Sequence, residues 1–129
     1  MKKILALIMC ACAVTFMPVA SFAADKADAM AAIKTAREKL VALIDTKEPG
    51  TQVTLIDEIH KASDEADKLL AALGDDAKAK EAKGVWEEFK KTRETEIIPA
   101  VQCGHPEKAK EIAMGIQKER FKKIMELLQ

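Results

Sequence analysis

Tyrosine is absent from this 129-residue chain, and one tryptophan and four phenylalanines are its only aromatic residues. Such scarcity argues against a sheet protein, whose strands draw on aromatic and β-branched side chains. Cysteine is nearly as sparse: Cys10 and Cys12 fall within an apolar amino-terminal stretch, so Cys103 stands alone in the rest and no internal disulfide is open to it. A lone thiol of this kind reads first as an inert helix-end residue and second as the link of a disulfide-bonded dimer. No Cys-x-x-Cys-His run occurs, which excludes ordinary c-type haem attachment. Charge of one sign is missing too, since 21 basic residues balance 21 acidic ones, and no nucleic-acid footprint results.

The amino terminus carries the first positive signal. Lys2 and Lys3 precede an apolar stretch from Ile4 to Phe16, and Met17-Pro18-Val19-Ala20-Ser21-Phe22-Ala23 ends it in small residues. That order is the order of a secretory signal peptide, with cleavage expected after Ala23 and a periplasmic location for residues 24–129. An uncleaved anchor is the lesser alternative, because Ile4 to Ala24 approaches the length of a membrane span. Removing Lys2 and Lys3 leaves 19 basic against 21 acidic residues, a formal charge of −2.

The remainder, rich in Ala, Lys, Glu, Leu and Ile, is one domain's worth of chain, and its composition is that of helices. Glu48-Pro49-Gly50, Gly74-Asp75-Asp76 and Cys103-Gly104-His105-Pro106 divide it into four. The first helix is expected from about Asp25 to Thr46, with Ile33, Ala36, Leu40, Leu43 and Ile44 on one face. The second, from Thr51, carries Ile56, Ile59, Ala62, Ala66, Leu69, Leu70 and Leu73. The third, from about Asp76, uses Ala82, Val85, Trp86, Phe89, Ile97 and Ala100, with Pro99 bending or fraying its last turns. The fourth opens at Pro106 and runs through Ile112, Ala113, Ile116, Phe121, Ile124 and Leu128. Similar helices on short connections predict an all-α, antiparallel, up-down-up-down four-helix bundle.

The run from Trp86 to Ala100, followed by Gly104 and Glu107-Lys108-Ala109, resembles the four-helix-bundle sensor domain of bacterial methyl-accepting chemoreceptors. Leu55 to Ile59 at the opening of the second helix, and Ala66, Asp67, Leu69 and Leu70 towards its end, agree with that family. No second membrane segment, relay linker or methylated cytoplasmic hairpin follows before Gln129. The resemblance therefore implies a free-standing exported sensor-like domain, non-catalytic, which binds a small ligand or docks on a membrane receptor or other envelope protein, and whose relatives form homodimers.

A weaker resemblance points to periplasmic b-type four-helix-bundle cytochromes, carried by Ala24-Asp25 with Met30, and by Gly104, Ala109 and Arg120. It implies haem b with Met30 as an axial ligand. The second ligand of that family would be a histidine one turn past Arg120, where this chain has Ile124. No cofactor is thus the first expectation and haem the second. A structural or chaperone-like envelope protein is the third reading.

Counted from the turns, Arg37, His60, Phe89 and Arg120 fall at similar heights, and Arg37, Arg93 and Arg120 interrupt the apolar stripes of their helices. Guanidinium groups lining a groove would suit a small anionic ligand, a carboxylate or phosphate, since each offers a planar fork of donors. The plainer alternative has them at the edges of the seams with their heads in water. Cys103 and His105 put two ligands for zinc or copper in one turn, which is short of a site. His105 before Pro106 reads more simply as a turn residue. No nucleophile paired with a base can be read, so an enzyme is not expected.

Overall fold

A computed structural model describes residues 25–129. The signal peptide expected over 1–23, and the alternative of a membrane anchor there, lie outside the described residues. Within them the chain is all-helical, with four helices and no strand. Helices α1 and α2 are Lys26–Asp45 and Pro49–Ala72. Helix α3 runs as α-helix over Ala77–Thr92, widens into a π turn over Arg93–Ile97 and finishes as α-helix over Ile98–Gln102. Helix α4 comprises Pro106–Met114 and Ile116–Leu128, interrupted at Gly115.

Local chemistry sets the helix ends. The Asp25 carboxylate accepts from the Ala27 N–H, and that of Asp76 from the N–H groups of Lys78 and Ala79, satisfying donors that have no partner inside the helix. Helix α2 begins two residues earlier than its expected start at Thr51, because Pro49 fits the first helical position, where its missing N–H costs nothing. Gly104, at φ +80, ends α3: its N–H reaches Val101 O and the His105 N–H reaches Ala100 O, closing the last orphan carbonyls.

One expectation about helix continuity is narrowed and one corrected. Pro99, expected to bend or fray the last turns of α3, does not fray them, since the helix runs on to Gln102. Its missing N–H and its ring, which crowds the carbonyl four residues back, are taken up by the wider π turn just before it, where the Ile98 N–H bonds to Arg93 O. Helix α4 is broken, not continuous. A Cβ at position 115 would lie 3.1 Å from the Glu111 carbonyl oxygen, an approach that glycine tolerates. Across the break the inward face shifts by one residue, so Ile116 is 49% exposed while Gln117 is 1% exposed.

One apolar core gathers Ile33, Leu40, Leu43, Ile59, Leu70, Trp86, Phe89, Ile97, Ile124 and Leu128. The α1 stripe is buried as expected, through Ile33, Ala36, Leu40, Leu43 and Ile44. On α2 the inner line is Leu55, Ile59, Ser63, Ala66 and Leu70, and Ile56, Ala62, Leu69 and Leu73 sit half-buried beside it. Trp86 and Phe89 stack at 5.3 Å between ring centroids, worth about 0.5–1.5 kcal/mol beyond the area they bury. Helix α1 packs closely along α2, and α3 along the second part of α4. Side-chain ties run along both pairs, Lys39 to Glu58 at 2.9 Å and Lys123 to Glu81 at 3.0 Å.

Candidate functional site

Helices α2 and α3 meet through polar groups. Residues 60, 63 and 67 recur at spacings of three and four and therefore share one face of α2. Each reaches across. His60 Nε2 lies 2.9 Å from Glu94 Oε1, Ser63 Oγ accepts from Arg93 Nη1 at 2.7 Å, and Asp67 Oδ1 accepts from both Trp86 Nε1 and Lys90 Nζ at 2.8 Å. Lys90 also holds Glu87 at 3.0 Å. Burial pulls the Lys90 ammonium pKa down, but the carboxylates of Asp67 and Glu87 outweigh it, so the net shift is upward.

Arg93 is the centre of this seam. It is 2% exposed, and it is the single charged residue among the buried described residues. Its Nε and Nη2 both donate to Glu94 Oε1, at 2.9 and 2.8 Å, while Nη1 takes Ser63 Oγ, whose own hydroxyl donates to Ile59 O. A buried guanidinium is tolerable only when paired and hydrogen-bonded, and here the pairing is complete. Arg93 and Glu94 are neighbours in the chain at the opening of the π turn, and their long side chains curl towards each other to make this contact.

The other candidates sit in different seams. Arg120 Nη1 donates to Thr92 Oγ1 at 2.7 Å and to Gln117 Oε1 at 3.1 Å, between α3 and α4. Gln117, fully buried, donates in turn to Phe89 O at 2.8 Å. Phe89 itself is buried against Trp86. Arg37 lies with its guanidinium carbon 4.7 Å from the centroid of the Phe121 ring, a cation–π contact between α1 and α4. Thus His60 and Arg93 converge on one carboxylate, while Arg37 and Arg120 are committed to separate partners. Every buried side-chain nitrogen and oxygen among the described residues has a hydrogen-bond partner.

Met30, the haem-ligand candidate, packs half-buried against the core, and His60 is bonded to Glu94. Among the described residues no group of three or more His, Cys, Asp or Glu side chains is arranged to hold a metal ion. Cys103 and His105 border a common shallow cleft of about 260 Å³ with Glu96, Pro99 and Lys108. The Cys103 thiol is free and exposed. A second cleft, about 270 Å³, lies between the two turns at that end, lined by Thr46, Lys47, Gln52, Val101, Gly104 and Pro106. No helix among the described residues is long and apolar enough to cross a membrane.

Ser63, Glu94 and Gln117 belong to these networks and were not anticipated. Ser63 was legible in principle, since it lies four residues after Ile59 and three before Ala66 on the inner line of α2. Glu94 lies within the π turn and Gln117 just past the break at Gly115, and helical periodicity announces neither irregularity. Comparison with protein-family models, with curated proteins and with solved structures finds no match.

Proposed function

We propose that the chain is an extracytoplasmic, non-catalytic sensor-like module, an antiparallel up-down-up-down four-helix bundle that binds a small anionic ligand and passes the event to an envelope partner. The topology is supported by pairings that run in opposite directions along neighbouring helices: residues 60, 63 and 67 meet 94, 93 and 90, and residues 117, 120 and 123 meet 89, 88 and 81. Export is supported by the amino-terminal leader pattern. The chemoreceptor-like sequence pattern supports a place in signal transduction, with a membrane receptor or a second copy of the chain as partner.

The observation that carries the ligand class is Arg93. A guanidinium held 2% exposed between two helices, in a π turn, costs desolvation energy that an apolar residue would not. Widened turns of this kind recur at functional sites. A fork of N–H donors suits a carboxylate or phosphate.

The test is thermal unfolding of the chain, purified from the cell envelope, against a panel of small carboxylates and phosphates at matched ionic strength. A ligand raises the midpoint in proportion to RT ln(1 + [L]/Kd), about 2.7 kcal/mol at a hundredfold excess over Kd. The expected result is a rise with at least one anion that vanishes in Arg93→Met. A midpoint indifferent to the whole panel refutes the reading.

A further inference from the structure

Glu94 is an unusual counter-ion for so buried an arginine. The Arg93 side chain is 3% exposed whereas that of Glu94 is 41% exposed, so the guanidinium is sealed in the seam and its carboxylate enters from the solvent side. One oxygen, Oε1, makes all the contacts: it takes Arg93 Nε, Arg93 Nη2 and His60 Nε2 at 2.8 to 2.9 Å. Arg93 Nη1 and Ser63 Oγ, 2.7 Å apart, form the inner wall, with Ser63 anchored to Ile59 O at 2.7 Å. These two side-chain atoms bond to each other and, through Ser63, to the α2 backbone, and neither contacts Glu94. The side that Glu94 closes is the only side of the fork held by a group with free access to water.

We infer that the Glu94 carboxylate is a built-in occupant of an anion seat made by the Nε–Nη2 edge of Arg93, which Ser63 holds in place from the Nη1 side, and that a small carboxylate ligand takes the seat by displacing it. A guanidinium edge presenting Nε and Nη2 accepts a carboxylate side-on with two parallel hydrogen bonds, one more acceptor oxygen than Glu94 supplies here. An incoming carboxylate therefore improves the pairing of Arg93 while replacing like with like in charge. Displacement does not strand Glu94, because its side chain is 41% exposed and has the half-exposed His60 2.9 Å away. Since a resident carboxylate must first leave, the seat admits only ligands that pair Arg93 better than Glu94 does, which makes the exchange selective for two-oxygen anions over halide. The proposal rests on the anion-binding reading above and specifies where it happens and what competes.

Chemical rescue tests it on the full chain. Glu94→Ala leaves Arg93 without its counter-ion, and its unfolding midpoint is expected to fall below that of the unaltered chain. Sodium acetate or formate should restore that midpoint in a concentration-dependent way, sodium chloride at equal ionic strength should not, and Arg93→Met/Glu94→Ala should show no acetate effect. Equal recovery in chloride and acetate, recovery that persists in the double variant, or no recovery overturns the seat. Should Glu94→Ala fail to fold, Glu94→Gln keeps the volume and removes the charge; acetate is then expected to shift the Arg93 Nε–H resonance of that variant, and an unmoved resonance has the same overturning force. Failures of the two proposals are distinguishable. Anion stabilisation of the unaltered chain without rescue in Glu94→Ala removes the seat and keeps the binding function, whereas rescue beside an unresponsive native chain removes the function and the displacement together and leaves Glu94 a plain counter-ion of Arg93.

Discussion

Single residues decide how the α2–α3 seam is held, and Asp67 is the one with the most to lose. Its carboxylate accepts the indole N–H of Trp86, a residue that is 0% exposed, and it holds the ammonium of Lys90. Asp67→Ala strands the buried indole donor and leaves Lys90 with Glu87 alone, so urea unfolding should show a loss of about 1–3 kcal/mol. Asp67→Asn, which keeps an acceptor oxygen for the indole, should lose visibly less; equal losses would mean the indole bond is immaterial. The sequence made part of this network legible. Arg93 stands out because it interrupts an apolar stripe, and Trp86 and Phe89 because they share a helix face. The partners were hidden for specific reasons. Glu94 neighbours Arg93 in the chain, a spacing that helical pairing rules pass over, and Asp67 looks like one more solvated residue until Trp86 is placed opposite it. Arg37 and Arg120 interrupt their stripes in the same way, yet one lies on Phe121 and the other bonds to Thr92 and Gln117. Periodicity told which face they occupy and not which seam.

At the scale of the element, the three turns were readable because glycine, proline and aspartate have steric and hydrogen-bonding reasons to stand there. Asp76 shows the consequence. It caps α3 through Lys78 and Ala79 and meets Lys26 of α1 at 2.8 Å. The Lys26 ammonium first, and the Lys78 N–H after it, hold its carboxyl below the ordinary carboxylate range. A group whose pKa is lowered on folding contributes stability above its unfolded value, near 3.9, and loses it as pH falls through the folded value. Asp76→Ala should therefore lower the urea midpoint at neutral pH, and the gap to the unaltered chain should close in strongly acidic buffer. A gap that stays constant with pH would assign the effect to something other than this charge. The interruptions inside α3 and α4 were not readable in the same way. Pro99 announced a disturbance without its form, and Gly115 gave no sign, because a single glycine inside a helical pattern is usually tolerated at modest cost. The break at Gly115 is what turns Ile116 outward and Gln117 inward, and with it the buried link from Gln117 to Phe89.

At the scale of the molecule, composition and periodicity sufficed for the all-helical character of the described residues, four helices around one core, because those properties average over many residues. Function does not average, and the proposed anion binding hangs on one buried guanidinium and the carboxylate that faces it. The proposed function requires an exported chain that carries a small anion at Arg93. Native mass spectrometry of the protein taken from its own cell envelope, beside the Arg93→Met variant prepared identically, tests it most directly. The expected result is a small non-covalent adduct on the unaltered chain that is missing from the variant. A bare chain, or an adduct carried equally by both, would contradict it.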